Sequence, residues 1–137
     1  MILNSRRRND ARRRSGLAVV EMAICLPVVV MLVFGTIEAC SMIFLQQSLT
    51  AAAYEGTSAG TKCNGSTNTA TTRCQQVLDA HRVASATIEL SPPTLESASQ
   101  GSPVTVTVSA SCGANGLLPL RFYVGRTLTA HCTMTKE

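Results

Sequence analysis

Enzyme signatures are missing from this chain. It has no phosphate-binding glycine loop, no nucleophile elbow and no His-Glu-x-x-His pair. Asp79 and His81 are two residues apart on a predicted helix and so do not face each other. Cys63, Cys74, His81 and Cys132 offer zinc-ligand chemistry, but their spacing matches no metal motif. No internal repeat is visible. No residue set argues for catalysis, and neither a cofactor nor a metal is expected.

An excess of charge is also missing from most of the chain. From Gln46 onward there are six basic and five acidic residues, so this part is near neutral and most of the net charge of +4 comes from the N-terminus. Arg6, Arg7, Arg8, Arg12, Arg13 and Arg14 supply half of the twelve basic residues. Such a run in isolation suggests nucleic acid. Here it abuts an apolar segment, and the excess of arginine on the cytoplasmic flank of a membrane span accounts for it. No nucleic-acid partner is expected.

What is present is a single long apolar stretch, Leu17 to Leu45. Its uncharged part, Met22 to Ile37, is 16 residues, about 24 Å of helix against the ~30 Å of a bilayer core. Glu21 and Glu38 sit near its two ends, and Ala39 to Leu45 extends it, so the segment is long enough to cross. This predicts a single pass through the inner membrane, with membrane lipid around it. Residues 1–16 form a polar, basic, cytoplasmic leader, 17–45 the membrane segment and 46–137 one extracytoplasmic domain. A carboxylate near the mouth of such a segment costs on the order of 1–3 kcal/mol, so Glu21 needs an offsetting partner or a snorkelled position beside the arginines. Glu38 reads as a marker of the outer interface. Pro27 is expected to kink or loosen the helix.

The helix should not stop at the membrane. Leu45, Leu49, Ala52, Ala53 and Gly56 recur at spacings of three and four, one apolar face of an amphipathic helix to Gly60. Ser48, Ala52, Gly56 and Gly60 add a strip of small residues that admits close helix approach, either to the chain's own domain or to a neighbouring subunit. Thr61 to Thr71 is a polar loop. Thr72 and Gln75 resemble a capping box for a second helix carrying Cys74, Val77, Leu78 and His81 and ending near Ser85. His81 falls on its apolar edge, as a packed or half-exposed side chain.

From Ala86 the period becomes alternating. Ala86 to Leu90, Val104 to Cys112 and Thr127 to Thr135 each read as a strand with one apolar and one polar, threonine-rich face, with a long connection from Gly113 to Arg126. The expected fold is α+β: a long N-terminal transmembrane helix continuing outside the membrane, a short second helix, and an antiparallel sheet of about three strands. Four cysteines beyond the membrane segment favour two disulfides in an exported domain. Cys112 and Cys132 share the apolar phase of two strands, while Cys63 and Cys74 flank the polar loop. The expected bonds are therefore Cys63–Cys74 and Cys112–Cys132, each contributing roughly 3 kcal/mol by loop closure.

The N-terminal segment resembles the type IV prepilins and pseudopilins, whose peptidase cuts after a glycine and leaves an apolar residue first and a glutamate fifth. Gly16, Leu17 and Glu21 occupy those positions. The segment is most similar to the TadE-like pseudopilins of the tight adherence (Flp) pilus system. Arg14, Gly16, Ala18, Val20, Glu21, Leu26-Pro27, Gly35, Ile37-Glu38 and Ala52-Ala53-Tyr54-Glu55-Gly56 carry the likeness. The resemblance implies a structural role in pilus assembly and no enzymatic activity. It implies cleavage between Gly16 and Leu17 by a prepilin peptidase, pairing of Glu21 with the new amine of Leu17, and partners among other pilus and pseudopilin subunits. The alternative is an uncleaved, single-pass anchored ectodomain that binds or supports another envelope protein. Ile37-Glu38-Ala39-Cys40 only faintly echoes a lipoprotein box, with Glu38 out of place and an apolar continuation after Cys40.

Overall fold

A computed structural model describes residues 4–116, 123 and 125–137, with side chains from Gly16 onward. The arginine side chains of the leader, and most of the connection before Arg126, lie outside the described residues. The elements are α1 (Asn4–Thr61), α2 (Thr67–Ala80), β1 (Ala86–Ser91), a 3-10 turn (Leu95–Ser97), β2 (Pro103–Ser111), a short α3 (Cys112–Asn115) and β3 (Thr127–Thr135). This is the expected α+β class: one long apolar helix, a second helix and a three-stranded antiparallel meander in the order β1-β2-β3.

The chain divides into two units, Met1–Ile37 and Glu38–Glu137. In the first, every large apolar side chain from Leu17 to Ile37 lies against solvent, Met31 with 71% of its surface free. An 18-residue window of this helix has a mean hydropathy of 2.7 and none of it is buried, so α1 is long and apolar enough to cross a membrane. α1 runs unbroken through Pro27, although a proline there removes the hydrogen bond to the Ala23 carbonyl. The helix also begins earlier than the polar leader suggests. Arginine is a good helix former, and lengthening an existing helix avoids the cost of a new nucleus.

In the second unit α1 is one-sided. Glu38, Ser41, Met42, Leu45, Ser48, Leu49, Ala52, Ala53, Gly56, Thr57, Gly60 and Thr61 are buried, while Ile43, Phe44 and Tyr54 remain exposed. The buried stripe follows the helical repeat. It packs with Cys74 and Leu78 of α2 and with Val106, Val108, Ala110 and Ala130 of the sheet. A smaller cluster joins Ala70, Leu95 and Val104. Fully burying a side chain such as Leu49 contributes roughly 1.5–3 kcal/mol, so this one face ties α1 to the domain.

The strands match their expected spans, and β2 alternates buried and half-buried residues from Val104 to Ser111. β1 pairs Ala86–Ser91 with Ala110–Thr105, and β3 pairs Thr127–Thr135 with Ser111–Pro103. Cys112 differs from expectation: it closes no strand but opens α3. The β3 edge is met by α1, because Gln46 Nε2 donates to the Thr129 carbonyl at 3.4 Å and Thr57 Oγ1 to the Cys132 carbonyl at 3.3 Å. Such cover limits edge-to-edge pairing.

α2 begins at Thr67, not at Thr72. Its cap is Ser66, whose hydroxyl accepts from the Thr69 amide at 3.1 Å. Glu96, from the 3-10 turn, takes the Thr67 amide at 3.0 Å and the Thr67 hydroxyl at 2.8 Å. Bonds from its own backbone amide and from Thr67 hold the Glu96 carboxyl below its ordinary pKa. A carboxylate 29 residues away thus supplies what the local sequence Thr67–Thr72 lacks, an acid at the helix N-terminus.

Candidate functional site

Gly16, Leu17 and Glu21 all lie in the exposed part of α1. Leu17 and Glu21 are one turn apart, and side chains four apart on a helix stand ~6 Å from each other. An amine created at Leu17 would therefore arise beside the Glu21 carboxylate of the same helix. The Gly16–Leu17 bond is itself helical in this structure, and Gly16 has open space around its Cα. Glycine is the residue at which a helix unwinds most cheaply.

Glu38, expected to mark the outer interface, is buried. It is 3% exposed, and its Oε2 has no hydrogen-bond partner among the described residues. It heads the buried stripe of α1, and no sequence signal separates it from Glu21, since both are single carboxylates in apolar surroundings.

The small-residue strip packs within the chain's own domain. A Cβ on Gly56 would meet Cys74 Sγ at 2.0 Å, and one on Gly60 would meet Leu95 at 2.7 Å and Ala70 at 3.1 Å. Ser48 Oγ contacts His81 Nδ1 at 3.2 Å, and Cys74 Sγ donates to the Ala52 carbonyl at 3.3 Å. The strip is the seat of α2. The spelling G-x-S-x-G does occur, at Gly56-Thr57-Ser58-Ala59-Gly60, but within α1, so there is no strand-to-helix turn there and Ser58 forms no nucleophile elbow.

Neither expected disulfide is present in this structure, where Cys63, Cys74, Cys112 and Cys132 all stand unbridged. Cys132 faces Val106 in the sheet register. Cys112 follows Val106 by six residues, about 20 Å of strand, and its amide instead meets the Arg126 carbonyl at 2.9 Å. A bridge requires Cα atoms within about 7 Å, so shared phase puts the two sulfurs on one face at opposite ends of it. Cys63 is exposed beyond the end of α1, whereas Cys74 is fully buried against Gly56, five residues before that end. Burial pushes the Cys74 thiol up to about 11, a backbone hydrogen bond offsetting part of the rise.

His81 is exposed at the α2 terminus, with its ring 5.6 Å from that of Phe44. Among the described residues no group of histidine, cysteine and carboxylates is placed to hold a metal. The ion pair Arg73–Glu55, at 4.0 Å and half exposed, stabilises little. What the arrangement offers is an apolar helix exposed on all sides, with one carboxylate near its start, leading into a domain held by a single buried stripe.

Comparison with known proteins gives one family match, to the model described as TadE-like protein, over residues 16–58. The match covers less than half of the chain and lies entirely within α1. Neither the curated proteins nor the solved structures yield a match.

Proposed function

We propose, from the premise that residues 16–58 make this a TadE-like protein, that the chain is a minor pilin or pseudopilin acting in the assembly of tight adherence pili. The family implies a role in those pilus systems, association with other pilus subunits, and a structural rather than an enzymatic part. The observation that supports the finer reading is that the matched segment begins with the stretch Leu17 to Ile37, whose apolar side chains are exposed all round. In that reading the arginine leader stays in the cytoplasm, α1 crosses the inner membrane, and residues 46–137 form the extracytoplasmic domain. Prepilin peptidase cuts between Gly16 and Leu17. The new ammonium group pairs with Glu21 on its own or a neighbouring helix, which offsets the cost of a carboxylate in an apolar surround.

Two measurements test this. The intact mass of the protein from cells with and without the peptidase should differ by the mass of residues 1–16. A chain that still begins at Met1 in the presence of the peptidase removes the main support. Glu21→Gln should insert normally but lower co-purification of pilus subunits, by about 1–3 kcal/mol of association if one partly buried pair is lost. Equal recovery would reduce Glu21 to an interface anchor.

A second reading has one specific observation in its favour, the helical state of the Gly16–Leu17 bond, which a peptidase would have to unwind. It is an uncleaved anchored ectodomain that supports another envelope protein, and the same mass measurement separates the two.

A further inference from the structure

The chain has two Asn-Gly pairs, Asn64-Gly65 and Asn115-Gly116. Asparagine is thermolabile, and most so before glycine, where no side chain shields the next amide from the carboxamide. Both pairs lie in the unit Glu38–Glu137, and the fold treats them oppositely.

Asn115 is clamped. Its Nδ2 donates to the Ala84 and Ser111 carbonyls, both at 2.9 Å, and its Oδ1 accepts from the Ala84 amide at 2.7 Å. These three bonds must be given up before its Cγ can meet the Gly116 nitrogen. Asn64 is exposed, and its side chain has no hydrogen bond among the described residues. Its reacting partner is held only by the turn itself, in which the Gly65 amide donates to the Lys62 carbonyl at 2.7 Å.

Packing also keeps residue 65 a glycine. A Cβ there would overlap the Gly60 carbonyl oxygen and lie 2.6 Å from its carbon and 2.8 Å from the Ala59 carbonyl oxygen. All three are backbone atoms of the end of α1, and backbone cannot swing aside as a side chain could. A larger residue at this position would crowd the amide and slow its attack, but the close approach of residues 62–66 to α1 excludes one.

We propose that Asn64 is a site of spontaneous deamidation, selected by the fold, with water as the co-reactant. The Gly65 nitrogen attacks Asn64 Cγ. The N–Cγ bond forms, the Cγ–Nδ2 bond breaks, and Nδ2 leaves as ammonia with the proton of the Gly65 amide. Water then opens the cyclic imide. Opening at Cγ gives aspartate, and opening at the main-chain carbonyl gives isoaspartate, with the chain running through Cβ and Cγ. No step is an oxidation or a reduction. Either product adds one negative charge to a near-neutral domain. Isoaspartate also lengthens the backbone by one carbon between two fixed points. One is the Thr61 carbonyl, which the Glu137 amide meets at 2.9 Å. The other is the Ser66 cap of α2. The joint between α1 and α2 is thus where this domain ages.

The test is peptide mapping of the full chain in detergent after incubation at neutral and at mildly alkaline pH. Amide-to-acid conversion is read by mass, and isoaspartate by enzymatic methylation of its carboxyl. Asn64 should convert, and faster at the higher pH, since the attacking amide must lose its proton. Asn115 should lag about tenfold or more, the equivalent of about 1.4 kcal/mol of hydrogen bonding surrendered before attack. In urea that unfolds the domain the two rates should converge. Asn64→Gln, which could close only a slower six-membered imide, should remove most of the acidic form seen on isoelectric focusing. The proposal is overturned by no conversion at Asn64, by equal rates in the folded chain, by a gap that persists in urea, or by an acidic form undiminished in Asn64→Gln.

Discussion

The two stretches of α1 that flank Ile37 are one helix under two rules. Before it, Leu17, Val20, Ile24, Val28 and Met31 are exposed on every side. After it, Leu45, Leu49 and Ala53 are buried along one stripe while Ile43 and Tyr54 on the other side are exposed. The first stretch has no polar face, so it suits a solvent that is apolar in every direction. The second has a period of 3.6, so it suits a solid support on one side and water or a partner on the other. Backbone geometry is common to both; side-chain order alone decides what each stretch can be surrounded by.

The sharpest break of this comparison is a pair of apolar truncations, one in each stretch. Leu49→Ala should destabilise the domain by about 3 kcal/mol through lost burial and a residual cavity. Val29→Ala, a truncation in the exposed stretch, should leave domain stability within about 0.5 kcal/mol. The buried Cys74 thiol reports opening in both cases, as its rate of alkylation in a urea series on full chain in detergent. Comparable shifts from the two variants would mean that the stretches are not distinct.

A smaller effect is expected at the seat of α2. Gly56→Ala brings a Cβ onto Cys74 Sγ and should cost about 2 kcal/mol, as overpacked sites do. Adding Cys74→Ala should restore part of that loss, read by circular dichroism in urea because the Cys74 thiol is then gone, since residues in contact are not additive. If the double variant is as unstable as the sum of the single ones, the small-residue strip is not held by Cys74.

The smallest is a pair of threonines. Both Thr36 and Thr57 donate to the carbonyl four residues back, at 2.8 Å and 2.6 Å. Only Thr57 is fully buried and within 3.3 Å of the Cys132 carbonyl. Thr57→Val should cost about 1 kcal/mol in the same urea series, and Thr36→Val nothing measurable. A neutral Thr57→Val would show that the helix–sheet hydrogen bond contributes no stability.

Periodicity made much of this legible. The apolar run announced a span, the three-four spacing from Leu45 to Gly56 announced the amphipathic continuation, and alternation placed all three strands. The differences have one kind of cause. Cys112 and Cys132 share a phase, but phase says which face a residue takes and not how far along it lies; antiparallel register places Val106, not Cys112, opposite Cys132. The start of α2 is not legible locally because Thr67–Thr72 carries no acid of its own, and the carboxylate that completes its N-terminus comes from Glu96.

Local order along the chain sets the apolar span, the helical and alternating periods, and the similarity of residues 16–58 to the TadE-like family model, because these depend on neighbours a few residues apart. Tertiary structure alone decided that Glu38 is buried, that the small-residue strip seats α2, and that the cysteines stand apart. Those facts depend on contacts between residues distant in the chain. Register, packing and loop closure choose such contacts, and no local pattern records the choice.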